Sequence, residues 1–157
     1  MKKDIKFYNI IFPMWSVYFY GLFFLPLWGI LLPANFIVDT LVLFILFHWL
    51  KLPDKKAMYK KSILRTWGFG FLADIIPSAL MVWISMGDLP FNPYMAIASV
   101  QAFLFTAAGV VFAGVLIYFF HMKFVWTKIE IEEEQKKKIA LGMAVLTAPY
   151  LMFLPPM

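Results

Sequence analysis

All fourteen Lys and Arg residues are confined to three short stretches, and the long apolar runs left between them are what this chain has to fold around. One stretch holds Lys2, Lys3 and Lys6. The next holds Lys51, Lys55, Lys56, Lys60, Lys61 and Arg65, and the last holds Lys123, Lys128, Lys136, Lys137 and Lys138. A helix crossing a hydrocarbon core of about 30 Å needs roughly 17–25 apolar residues, and most of the runs have about that length. With 63% apolar and 15% charged side chains in 157 residues, there is too little charge to cover the surface that a compact soluble domain of this size leaves wet. A water-soluble globule is thereby excluded. The sequence has no cysteine, so disulfides, thiolate metal sites and cysteine nucleophiles are excluded too.

The expected fold is all-α, a polytopic transmembrane helix bundle forming one integral membrane domain over 1–157 with no soluble domain. Spans are expected at about 7–27, 35–50, 62–86, 94–122 and 139–154, five in all, or four if the last is re-entrant. Pro26 is expected to close the first span, with a turn through Gly29 and Pro33 before Asn35 caps the second. Gly87-Asp88-Leu89-Pro90 ends the third, and Pro149 interrupts the fifth. The first run has no small-x-small cleavage site and is read as a retained helix.

Drawing these spans puts every Lys and Arg on one side and leaves only Asp88 on the other. Positive charge flanks spans on the cytoplasmic side, so the expected topology is multi-pass in the cell (plasma) membrane, N-terminus inside and C-terminus outside. The net charge of +5 is then a topology signal, and nucleic acid is not an expected partner. Expected partners are the lipid bilayer and a second copy or a membrane partner subunit. Trp49, Trp67 and Trp126 are expected at the cytoplasmic interface and Trp28 and Trp83 near the outer one. His48 and His121 are likewise expected to be interfacial rings, because no HxxxH or HxxE spacing or nearby acid completes a ligand set. No metal and no cofactor is implied. The segment from Lys128 to Lys138 sets glutamates four before lysines, the order of a solvated helical linker.

Two acids fall inside apolar runs. Asp39 lies eleven residues from Leu50 and Asp74 eleven from Ile63, so both are expected about 16 Å from the cytoplasmic ends of adjacent antiparallel helices, at similar depth and facing each other. Each has a small or polar residue four positions earlier on the same face, Asn35 and Gly70 respectively. Two acids meeting without a cation would titrate as a unit. Counted from the other end, Asp39 is only four residues past Asn35, which leaves a capping group or an outer-vestibule residue as its second reading. Ser62, Thr66, Gly70, Asp74 and Ser78 form an i+4 row of small and hydroxylated residues that admits a close helix neighbour, and Pro77 frees the Ala73 carbonyl beside Asp74. Ser99, Ala102, Thr106, Gly109 and Ala113 alternate three and four apart, the seam of a tightly packed pair. Gln101 stands outside that seam and needs a partner if buried.

The candidate ligand- or ion-binding residues are therefore Asp74, Asp39, Asn35, Ser78 and Gln101, with Thr66, Gly70, Ser99, Ala102, Thr106, Gly109 and Ala113 expected to pack helices. An ionisable residue at mid-bilayer points first to function. The expectation is a transport or permeation protein, or a transporter's membrane subunit, that uses intramembrane Asp for a proton, cation or cationic solute. The alternative is a non-catalytic interaction or assembly subunit whose buried polar residues bind partner helices. No catalytic residues stand out: phosphate loops, GxSxG and HExxH are all absent from the sequence.

Overall fold

A computed structural model describes residues 25–154, and the described chain is helical with no strand. Helix α1 is Leu25–Trp49, α2 is Lys55–Ser85 and α3 is Val100–Phe120. A π-helical turn, His121–Val125, continues α3, and a single 3-10 turn follows at Trp126–Lys128. Helix α4, Glu133–Leu146, and a 3-10 turn at Tyr150–Phe153 complete the described chain. The helices pack in cyclic order, α1 on α2, α2 on α3, α3 on α4 and α4 back on α1. Both basic clusters of this region lie at one end of the bundle, where Phe69 stacks on Phe124 with ring centroids 4.9 Å apart and Phe47 meets Trp126 edge-on at 6.1 Å. At the opposite end, around Asp88, Phe91 packs on Phe105 and Phe103 on Phe153.

Three helical segments among the described residues are long and apolar enough to cross a membrane, Leu32–Trp49, Lys55–Ser85 and Val100–Val125. The five spans expected are thus not all found. The expected span at 7–27 lies almost wholly outside the described residues. The segment expected at 139–154 is not one continuous helix: α4 has 14 residues, a length of about 21 Å against the 30 Å required. Thr147 caps it, its Oγ1 donating to the Met143 carbonyl at 2.8 Å, and Pro149 lacks the donor that a further turn needs. The chain nevertheless continues along α3, burying Met152 against Met81, Val82 and Val110.

The other boundaries move for local reasons. No turn separates residues 29 and 33: α1 runs through Pro33, and the residue four before it, whose carbonyl the proline ring crowds, is Gly29, with nothing within 4 Å of its Cβ direction. Asn35 is consequently inside a helix and caps nothing. Helix α2 begins at Lys55, seven residues before the expected start, so the basic stretch is its first turns. Helix α3 begins at Val100 instead of 94, because Ser99 is its N-cap and accepts from the Ala102 amide at 3.1 Å. Salt bridges Lys136–Glu133 at 2.7 Å and Lys138–Glu134 at 2.6 Å wrap the first turns of α4, and the lysines hold both carboxyls below the usual glutamate range.

Small residues set the helix spacing. A Cβ at Gly109 would strike the Met81 sulfur, one at Gly142 would lie 2.6 Å from Leu46 Cδ2, and one at Gly114 would meet the Ala144 carbonyl at 3.3 Å. Ala102, Thr106 and Ala113 of the α3 seam are fully buried. We expect Gly109→Ala to cost about 1–3 kcal/mol of stability, and Met81→Ala in the same chain to recover part of it. Thermal unfolding of the single and double variants in detergent measures that coupling, and strict additivity would show that the two positions do not meet.

Candidate functional site

The buried stripe of α2 consists of Ser62, Thr66, Gly70, Ala73, Asp74, Pro77, Ser78 and Met81, which turns its i+4 polar row toward the other helices. Ser62, Thr66 and Ser78 are fully enclosed and Asp74 is 3% exposed. From α1, Asp39, 2% exposed, closes on the same stripe: its Oδ2 lies 3.3 Å from where a Cβ of residue 70 would stand. Gly70 is one helical turn from Asp74, and the charge of Asp39 is felt at Asp74. The structure thus brings Asp39, Gly70 and Asp74 into one interior region, with Asn35, half-buried, one turn from Asp39 on the same face of α1. The capping reading of Asp39 is overturned because α1 extends to Leu25, and the vestibule reading does not fit a side chain with 2% exposure.

Hydrogen bonding divides the polar groups into engaged and unengaged sets. Ser78 Oγ donates to the Asp74 backbone carbonyl at 2.7 Å and Thr106 Oγ1 donates to the Ala102 carbonyl at 3.1 Å, so both hydroxyl protons are taken up by their own helices. Ser78 therefore serves the backbone, not the acid's side chain. By contrast Asp39 Oδ2, Asp74 Oδ1, Thr66 Oγ1 and Asn35 Nδ2 are buried with no hydrogen-bond partner among the described residues. Buried polar atoms are almost always paired, so four such atoms on two facing helices mark a place where something else completes the set. Pro77 lacks the amide hydrogen that would otherwise bind the Ala73 carbonyl, which adds an oxygen beside Asp74.

Other expected residues lie elsewhere. Gln101 is exposed in the first turn of α3. Met81 faces Gly109, which puts Gln101 about 20 Å along the bundle axis from Asp74, and it takes no part in this region. Ser99 is a cap instead of a member of the packed seam. No group of three or more His, Cys, Asp or Glu side chains poised for a metal ion occurs among the described residues. An apolar groove of about 440 Å³ runs between α3 and α4, lined by Val110, Gly114, Tyr118, Leu141 and Val145, and it contains neither acid.

Two rings expected at the interface are inside the bundle. His121 and Trp126 are both fully buried, with ring centroids 6.2 Å apart. His121 Nδ1 lies 2.8 Å from the Ile117 carbonyl, which only accepts, so Nδ1 carries the hydrogen and Nε2 presents a lone pair without a partner. The burial of His121 has a sequence signal, since two steps of four from Ala113 along the α3 seam lead through Ile117 to it. Trp126 has none, because the π-helical turn resets the face. His48 remains exposed beside Lys55, 3.2 Å from its Nζ.

The chain matches no family model, no curated protein and no solved structure. Its site therefore stands on geometry. Because Asp39 fills the space over position 70, Gly70→Val is expected to cost about 1–3 kcal/mol. Gly68, two residues earlier, has nothing within 4 Å, and Gly68→Val is expected to change stability by less than about 1 kcal/mol. Equal losses in the two variants, read as unfolding midpoints, would remove Asp39 from this contact.

Proposed function

We propose that this is a multi-pass membrane protein in which Asp74, with Asp39 beside it, binds a proton or cation during transport or permeation. The observation that carries the reading is an inverted distribution of polarity. Two carboxylates with 2% and 3% exposure sit inside, while Leu41, Ile45, Leu64, Val111 and Val115 are 57–70% exposed. In water that arrangement leaves large apolar faces open and acids desolvated, whereas in lipid the faces are satisfied and the acids point to a transport path or ion site. The interior position of Asp74 favours this over the competing reading of an assembly subunit, which would set the acid on an outer flank for a partner helix.

The same reading orients the chain in the plasma membrane. The end that carries Lys51 to Arg65 and Lys123 to Lys138 faces the cytoplasm, and the end with Asp88 faces outward. The α4 segment with its 3-10 continuation then crosses as an interrupted span, a type of element tolerated at membrane depth where it is buried in protein. The partners in this reading are the bilayer and, for assembly, a second copy or a partner subunit.

Reconstitution into proteoliposomes tests it. Flux driven by a proton or cation gradient is expected in the native protein, reduced by about tenfold or more in Asp74→Asn and to a smaller extent in Asp39→Asn. If Asp74→Asn leaves flux intact and instead weakens association between chains, the assembly reading replaces this one.

A further inference from the structure

We infer that the unengaged oxygens around Gly70 form a site for a dehydrated alkali cation, coordinated by Asp39 Oδ2, Asp74 Oδ1 and Thr66 Oγ1. The inference rests on the preceding reading and narrows it from a proton or cation to a metal ion. All three oxygens are buried and unpartnered among the described residues, and they come from two helices that close on each other at a glycine. Thr66 and Asp74 flank Gly70 by one turn on either side of the same row, and Asp39 Oδ2 lies over Gly70 itself.

The count and type of the groups decide between ions. A proton on the acid pair satisfies carboxylate oxygens and leaves the Thr66 hydroxyl, fully buried, with nothing to bind. A hard cation uses carboxylate, hydroxyl and carbonyl oxygens together. The carbonyl of Ala73, whose helical donor Pro77 removes, is placed to join them, and so is the side-chain oxygen of Asn35 if its amide is turned over. Two carboxylates with no third acid or histidine poised beside them form a lean set for a divalent ion, which takes six to eight oxygens when it is calcium or retains several waters when it is magnesium. The charged and titratable groups on the packed faces are few. Asp39 belongs to α1 and Asp74 to α2. His121 and its π-helical turn continue the buried face of α3, and the buried face of α4, Ile139, Ala140, Met143 and Ala144, has none.

The experiment is thermal unfolding of the full-length protein in detergent at fixed pH, in chlorides of lithium, sodium, potassium, calcium and choline at matched ionic strength. A midpoint that rises saturably with one of the alkali cations and not with choline is expected, as for any ligand that binds only the folded state. Thr66→Val is a near-isosteric control with opposite outcomes under the two possibilities. If the hydroxyl binds a cation, the variant weakens the apparent cation affinity by about tenfold or more. If the hydroxyl binds nothing, removing a buried unpaired polar group leaves the cation response unchanged and raises the midpoint in every salt, which overturns the inference. A response confined to calcium, or none in any salt, overturns it as well. In proteoliposomes, proton-driven flux indifferent to alkali cations overturns this inference alone, whereas saturable sodium binding without flux overturns the transport reading and leaves the site.

Discussion

Asp39 lies inside the bundle because position 70 of the facing helix has no side chain. That single vacancy lets a carboxylate rest against backbone, and it fixes how near α1 comes to α2 at the level where Asp74 also turns inward. The rest of the packing follows the same device. Gly109 admits Met81 and Gly142 admits Leu46, so three of the four helix contacts rest on a missing side chain on one partner and a flexible or polar one on the other. Hydrophobic attraction between helices is weak where the surroundings are themselves apolar, and close approach with matched polar groups has to supply the cohesion.

That arrangement is also demanding. A buried polar network is stabilising when every member is satisfied and costly when some are not. The i+4 row of α2 contains both conditions a turn apart. Ser78 is bonded to the Asp74 carbonyl at 2.7 Å, while Thr66 and the two carboxylates have unmatched atoms. The division is spatially ordered, since the engaged hydroxyl lies on one side of Asp74 and the unengaged atoms lie toward Gly70 and Thr66. A packing face alone would show no reason for that asymmetry.

Much of this was legible in the sequence, and the failures have identifiable causes. Charge sorting located the helical runs and grouped the basic clusters at one end, because a charge is costly wherever it is out of reach of water. The row Ser62, Thr66, Gly70, Asp74, Ser78 was legible because helical periodicity alone determines which residues share a face. The boundary at Pro33 was misplaced because proline disrupts a helix only where the freed carbonyl and ring clash are not relieved, and Gly29 relieves them. The start of α2 was missed because lysines at Lys55 to Lys61 read as a loop by charge although they are good helix formers by propensity. Depth was misjudged with it, since Asp39 and Asp74 meet across the bundle although they lie at unequal distances from their own helix ends. The burial of Trp126 was beyond any α-helical periodicity.

That last point follows from the π-helical turn at His121–Val125, where the Trp126 amide bonds back to the His121 carbonyl. Such a turn is an α-helix with one residue too many, held in place without breaking the hydrogen-bonded rod. Its effect is to change the angular phase of everything after it: His121, Val125 and Trp126 all reach the interior, where a uniform helix would have sent the sixth residue of that group off to one side. The chain therefore leaves α3 already rotated toward the face on which α4 must return. The surplus residue serves as a steering element, turning a straight exit into a docked one before the connecting loop begins.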